Sequence, residues 1–299
     1  MKLIVPSIAL VAAMTMRPQY AYNSTQLRVH SGADWPAQNI TGNVERVTKA
    51  IKYGRRTGLT NVGVRGTALL PEARGEAKVT RKQGQTEIQA ELGSLREATR
   101  FGPEYLTYVL WAVTPDGRAA NLGEVVPNDR NSVLKVTIEP DVFGLIVTAE
   151  PYFAVCQPSD VVVMENVSGR DSVPKIDEVD AKYQLLPRGT YTTNVPRSEL
   201  KPIVMDANTP LDLYEARNAL WIALWAGADK GAAELFSEAE RSLEKAEALH
   251  ASRAGANQVL TAARETVQTA ENARMTALKR RSENRFPIRP PRPPRKKVA

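Results

Sequence analysis

The chain has 299 residues, 42% of them apolar and 24% charged, a balance that excludes a wholly disordered or a wholly membrane-embedded protein and leaves room for two ordered modules plus tails. The formal charge is +7, yet Lys279 to Ala299 holds nine basic residues against Glu283 alone. That net +8 leaves −1 for all that precedes it, so the basicity belongs to the C-terminal end and not to a binding face spread over the body. Cys156 is the single cysteine, which excludes an internal disulfide; its expected place is buried between strands, pairing between two chains being the other reading.

The N-terminus, MKLIVPSIALVAAMTMRPQYA, has a basic residue, an apolar stretch from Leu3 to Met16 and then small and polar residues. This is the pattern of a secretory signal peptide over residues 1–21, too short to span a bilayer comfortably; a buried N-terminal element is the alternative. Export to the periplasm or cell envelope is the expectation. Residues 22–71 carry scattered glycines and no sustained apolar period, and are read as irregular apart from a short helix from about Val44 to Lys52.

From residue 72 to 172 the texture becomes short alternating or fully apolar runs divided by turn residues, which predicts strands. EAKVT and TEIQAEL flank a tight turn at Gly84, with Ile88, Ala90 and Leu92 on one face. YLTYVLWAV is apolar on both alternating faces and should be a central strand covered on both sides. SVLKVTI places Leu134, Val136 and Ile138 together, and FGLIVTAE and VVVMENV complete a set whose spacing is that of an antiparallel Ig-like β-sandwich. Thr114-Pro115-Asp116-Gly117 is accounted for by turn chemistry: Pro fixes φ, Asp tolerates the bridge region and Gly supplies positive φ. Asp116 and Arg118 at its tip are therefore assigned to a hairpin corner and not to catalysis.

Residues 173–208 contain four prolines among isolated apolar residues and read as an extended connector, with a hairpin in AKYQLLPRGTYTTNV. Residues 209–285 turn helical. Thr209 is placed to cap, Pro210 to open the first turn and Asp212 to occupy its third position. Apolar stripes follow: Leu213, Ala216, Leu220, Ala223 and Leu224, then Leu235, Ala239, Leu243, Ala246 and Leu249, then Ala263, Val267, Ala270, Ala273 and Ala277. The fold class expected is thus α+β and multidomain, a β-sandwich followed by an alanine-rich helical hairpin or three-helix bundle. Residues 286–299, RFPIRPPRPPRKKVA less its first residue, form a basic Pro-rich tail. It is read either as a solubilising disordered segment or as an arm for an anionic partner using Lys279, Arg280, Arg281, Arg289, Arg292, Arg295, Lys296 and Lys297.

Motifs for chemistry are scarce. His30 and His250 are far apart in the chain, and HExxH, CxxC, EF-hand, Walker, dinucleotide and GxSxG patterns are missing from the sequence. Glu238 and Glu240, and Asp177, Glu178 and Asp180, are most simply solvated surface. The expectation is no catalytic residue, no cofactor, no metal and no small-molecule substrate. Sequons at Asn23, Asn39 and Asn166 are treated as chance.

Two resemblances add to this. The stretch over residues 72–167 resembles the extracytoplasmic domain of bacterial anti-sigma-K factors, on Tyr108, Leu110, Trp111, Pro115, Asp116, Gly117, Leu122 and Gly123. The resemblance implies a sandwich with no enzymatic site to carry over. LDLYEARNALWIALWAGADKGAAELFSEAERSLEKAEAL is similar to the alanine-rich helical region, domain of unknown function 4398, of bacterial envelope proteins, as found in acidobacterial-type proteins ahead of an OmpA-like domain that this chain lacks. Together they imply a non-enzymatic exported interaction or spacer protein whose partner is an envelope protein or cell-wall polymer. The alternative is a binder of nucleic acid or another anionic polymer through the basic arm.

Overall fold

The computed structural model describes residues 44–53, 58–127, 131–167, 177–196 and 198–285. The signal-peptide segment, His30, the sequons at Asn23 and Asn39 and the tail from residue 286 lie outside the described residues. Among the described residues the chain is mixed α+β, with an antiparallel, nearly barrel-like sheet and four α-helices.

Ten strands form the sheet: β1 Val44–Lys52, β2 Leu59–Gly66, β3 Arg74–Lys82, β4 Gln85–Gly93, β5 Thr107–Val113, β6 Ala119–Val125, β7 Ser132–Ile138, β8 Val142–Glu150, β9 Val162–Asn166 and β10 Glu178–Leu185. Neighbours along the ladder run β10-β1-β8-β9-β2-β3-β4-β7, and the β5–β6 hairpin hangs from β8. Every residue of β5 is buried, as its two apolar faces require. Val109, Trp111 and Val113 point to one core, shared with the helices, while Tyr108, Leu110 and Ala112 point to a second core filled from β4 by Ile88, Ala90 and Leu92. β5 therefore divides the molecule into layers.

The turns follow their sequences. Gln83 and Gly84 both take positive φ in the two-residue turn between β3 and β4. In the Thr114–Gly117 turn the Gly117 amide donates to the Thr114 carbonyl at 2.9 Å, with Gly117 at φ +85°. A side chain on Gly117 would collide with the Lys182 carbonyl of β10, so the corner is closed against a strand. Asp116 accepts from Thr114 Oγ1 and, at 2.6 Å, from Arg118 Nε, and the Thr114 bond above all keeps its carboxyl below the usual range. The turn's polar residues are spent on one another.

Three expectations are corrected. Val44–Lys52 is a strand and not a helix: Val44, Val47 and Ile51 imitate helical spacing, but the β-branched content suits a strand, and β1 pairs with β10 and β8 to bury Thr48, Ala50 and Ile51. The segment read as an extended connector contributes β10, which pairs with distant β1 and does not form the local hairpin. Cys156 sits in the loop after β8 and not between strands; burial first, and then the Glu271 carboxylate, push its thiol well up.

The helices are α1 Leu211–Trp225, α2 Ala228–Gly231, α3 Ala233–Ala251 and α4 Ala256–Arg285. The first starts one residue later than expected, with Pro210 as N-cap. Thr209 does not cap it; Asp206 instead collects the amides of Asn208 and Thr209 and the Tyr214 hydroxyl. The α4 stripe of Ala263, Val267, Ala270, Ala273 and Ala277 is buried as predicted, and small side chains let α2 approach so closely that a Cβ on Gly231 would stand 2.8 Å from that of Ala277. Among the described residues no helix is long and apolar enough to cross a membrane.

Candidate functional site

Antiparallel register decides which polar side chains face the helices. Val109 faces them, so its partners Glu124 on β6 and Thr148 on β8 do too, as does Glu150 opposite Thr107. The helix-facing side of the sheet centre thus carries a band of buried polar groups, and α1 and α4 lay acids, an amide and two arginines across it. Two clusters result.

In the first, Thr107 Oγ1 donates to Glu124 Oε1 at 2.8 Å, and Arg264 Nη1 on α4 donates to Glu124 Oε2 at 3.1 Å and to Asp212 Oδ1 at 2.8 Å. The Arg264 guanidinium lies over the Phe153 ring, 3.7 Å from its centroid. Glu215, one turn after Asp212, is fully buried, and neither of its carboxylate oxygens accepts a hydrogen bond. Its carboxyl lies against that of Glu124, a contact that only a proton on one of the pair turns into a hydrogen bond. One oxygen each from Glu124, Asp212 and Glu215 fall within 4.8 Å of one another. Burial, followed by repulsion from Glu124, raises Asp212 to about 6 and drives Glu215 well above the carboxylate range.

In the second, Glu150 Oε1 accepts from the Ser159 amide at 2.7 Å and from Thr148 Oγ1 at 2.5 Å, while Thr148 in turn accepts from Trp111 Nε1 at 2.8 Å. Burial outweighs these bonds and pushes Glu150 up to about 8. Beside it, Arg274 grips Glu271 with two bonds at 2.6 and 2.8 Å. Glu271 also accepts from the Tyr152 hydroxyl at 2.7 Å and the Cys156 amide at 3.3 Å, which ties α4 to the loop after β8. Asn218 on α1 donates to the Glu104 and Pro151 carbonyls, a third tie from helix to sheet.

None of these clusters carries a sequence motif. Glu124 and Glu215 are 91 positions apart in the chain, and no fixed spacing predicts their meeting. One signal was available: α1 is apolar nearly all round, a helix of that kind is buried, and its Asp212, Glu215 and Asn218, each three residues apart, had to be buried with it.

The residues predicted for an anionic partner are distributed differently. Lys279, Arg280 and Arg281 lie exposed on the last turns of α4, where Arg280 Nη1 donates to the Gly231 carbonyl at 2.6 Å and Arg281 Nη2 to the Ala226 carbonyl at 2.9 Å. These two cap the C-terminal ends of α2 and α1, where cations are favourable. Arg289, Arg292, Arg295, Lys296 and Lys297 lie outside the described residues. Asp177, Glu178, Asp180, Glu238 and Glu240 remain at the surface or partly exposed, apart from the clusters, and His250 is half-buried near the end of α3.

Comparison with known proteins returns no match among family profiles, curated proteins or solved structures.

Proposed function

We propose that the chain is a non-enzymatic, exported cell-envelope protein that serves as an interaction or spacer module, built as an Ig-like sandwich carrying a three-helix bundle. The observation that carries this reading is the continuity of its core. One apolar cluster runs from Val109, Trp111, Ile146 and Tyr183 into Leu213, Ala239, Val267 and Ala270, and is pinned by the Asn218 and Glu271–Arg274 ties. A helical layer welded to a sheet in this way transmits position instead of hinging. α4, 30 residues long, extends about 45 Å at 1.5 Å per residue. α3 forms the outer helix, with Glu238, Glu240, Arg241, Glu244 and Lys245 exposed as a charged contact face. The resemblances to anti-sigma-K extracytoplasmic domains and to domain of unknown function 4398 support the envelope setting.

The test is fractionation of cells producing the full chain, combined with crosslinking in intact cells from photoreactive residues at positions 238, 241 and 245. An envelope-fraction protein shortened near residue 21 and attached to a reproducible partner is expected. Recovery from the cytosol with Met1 intact would remove the premise.

The second reading, a binder of anionic polymers, is favoured by the net +8 confined to Lys279–Ala299. It requires retention on a polyanion that falls steeply with salt and disappears on deleting residues 279–299; indifference to that deletion rejects it.

A further inference from the structure

Of the buried acids at the sheet–helix interface, Glu215 stands out: it is fully buried, and neither oxygen accepts a hydrogen bond. An ionised carboxylate in that condition is among the costliest groups a protein can bury. It faces Glu124 and Asp212, and the single positive charge in the cluster, Arg264, is already shared between those two. With three carboxylates ionised, the cluster is two positive charges short of neutral.

We propose that Glu124, Asp212 and Glu215 form a binding site for one hard divalent cation of calcium size, with Arg264 as a fixed counter-charge beside it. The donor set is entirely oxygen, the set that hard cations select. Two oxygens bound to one ion at 2.3–2.6 Å can be no more than about 4.6–5.2 Å apart, and the three carboxyls bring oxygens within 4.8 Å of one another. A charge of +2 closes the balance that Arg264 leaves open. Access is from the helix side: the Asp212 and Arg264 side chains keep 14% and 17% of their surface in solvent against 2% for Glu124, so water can complete the coordination. Thr107 and Arg264 hold the Glu124 carboxyl in place, as outer partners do around metal ligands. Magnesium, which demands near-ideal octahedral geometry and retains its waters, suits this irregular set less well.

The experiment is calorimetric titration of the full chain, freed of metal by chelation, with CaCl2, MnCl2 and MgCl2 in turn at neutral pH. Loss of the free Mn2+ paramagnetic resonance signal is the independent readout. One saturable site per chain is expected, with a Kd for Ca2+ below about 1 mM, tighter than for Mg2+. Glu215→Gln, which keeps the shape of the neutral acid, should unfold cooperatively and bind at least about tenfold more weakly. Asp212→Asn should show the same loss and serves should the first variant fail to fold. Three results overturn the assignment: no saturable binding by wild type at about 10 mM, tenfold above the weakest calcium modules, which leaves protons alone to balance the charge; preference for Mg2+; or binding that both variants leave intact, which puts the ion elsewhere.

Discussion

Replacing Glu150 with Gln should make the protein more stable at neutral pH, although it alters a residue with three hydrogen-bond donors around it. The Glu150 carboxyl is fully buried and titrates at about 8 in the folded chain against 4.5 when exposed. A group whose folded value is raised binds its proton more tightly when folded, so its contribution is most favourable below pH 4.5 and is lost as pH rises toward 8. The slope is about 1.4 kcal/mol per pH unit, and the full interval amounts to about 5 kcal/mol. Gln occupies the same volume without titrating. Its carbonyl oxygen can accept from the Ser159 amide and Thr148 hydroxyl, and its amide can donate toward the Tyr191 hydroxyl, now 3.4 Å from Glu150 Oε2. Urea unfolding of both proteins, followed by tryptophan fluorescence, should give stabilities within about 1 kcal/mol at pH 5 and a variant ahead by about 4 kcal/mol at pH 7.5. Other raised acids, Asp212, Glu215 and Glu104, bend both curves alike and cancel in the difference. A difference that stays the same from pH 5 to pH 7.5 would refute the reasoning.

Other perturbations address the ties between layers. Arg274→Met strands the Glu271 carboxylate, buried with only Tyr152 and Cys156 as donors, and should cost about 3–5 kcal/mol in urea unfolding. The double variant Glu271→Gln/Arg274→Met should recover at least about half of that, since the uncompensated charge is gone; an equal loss in single and double variants argues against a charge effect. Asn218→Ala removes both donors to the Glu104 and Pro151 carbonyls and should cost about 2 kcal/mol by the same assay. Gly231→Ala pushes a methyl into Ala277 across the α2–α4 contact and should cost about 1–3 kcal/mol, read as a lower Tm.

Local chemistry made parts of this fold legible. The β5 strand could be identified because an apolar run on both faces has to be covered twice, and the Thr114–Gly117 corner because each residue has a turn preference of its own. The α4 stripe was readable for a similar reason: alanine spacing alone records close helix approach. What escaped was non-local. β1 differs from the expected helix because its conformation is set by partners far along the chain, Phe143 of β8 92 positions from Ile51 and Leu185 of β10 141 positions from Val44. Glu150 closes an apolar strand, where an acid ordinarily marks the return to solvent; only Ser159 and Tyr191, brought over by later chain, make it interior. Glu124 likewise acquires its meaning from α1 and α4, which cover it.

Asn166 begins an Asn-Val-Ser sequon, yet its side chain is a clasp between strands: Oδ1 accepts from the Leu145 amide at 2.7 Å and Nδ2 donates to the Lys49 carbonyl at 3.0 Å. An oligosaccharide attached to that nitrogen would replace one of its two N–H hydrogens and have no space where β1, β8 and β9 converge. Production in yeast or mammalian secretory cells would therefore set the glycosylation machinery against closure of the sheet, with each chain modified before it folds lost to the native state. A bacterial host avoids the contest.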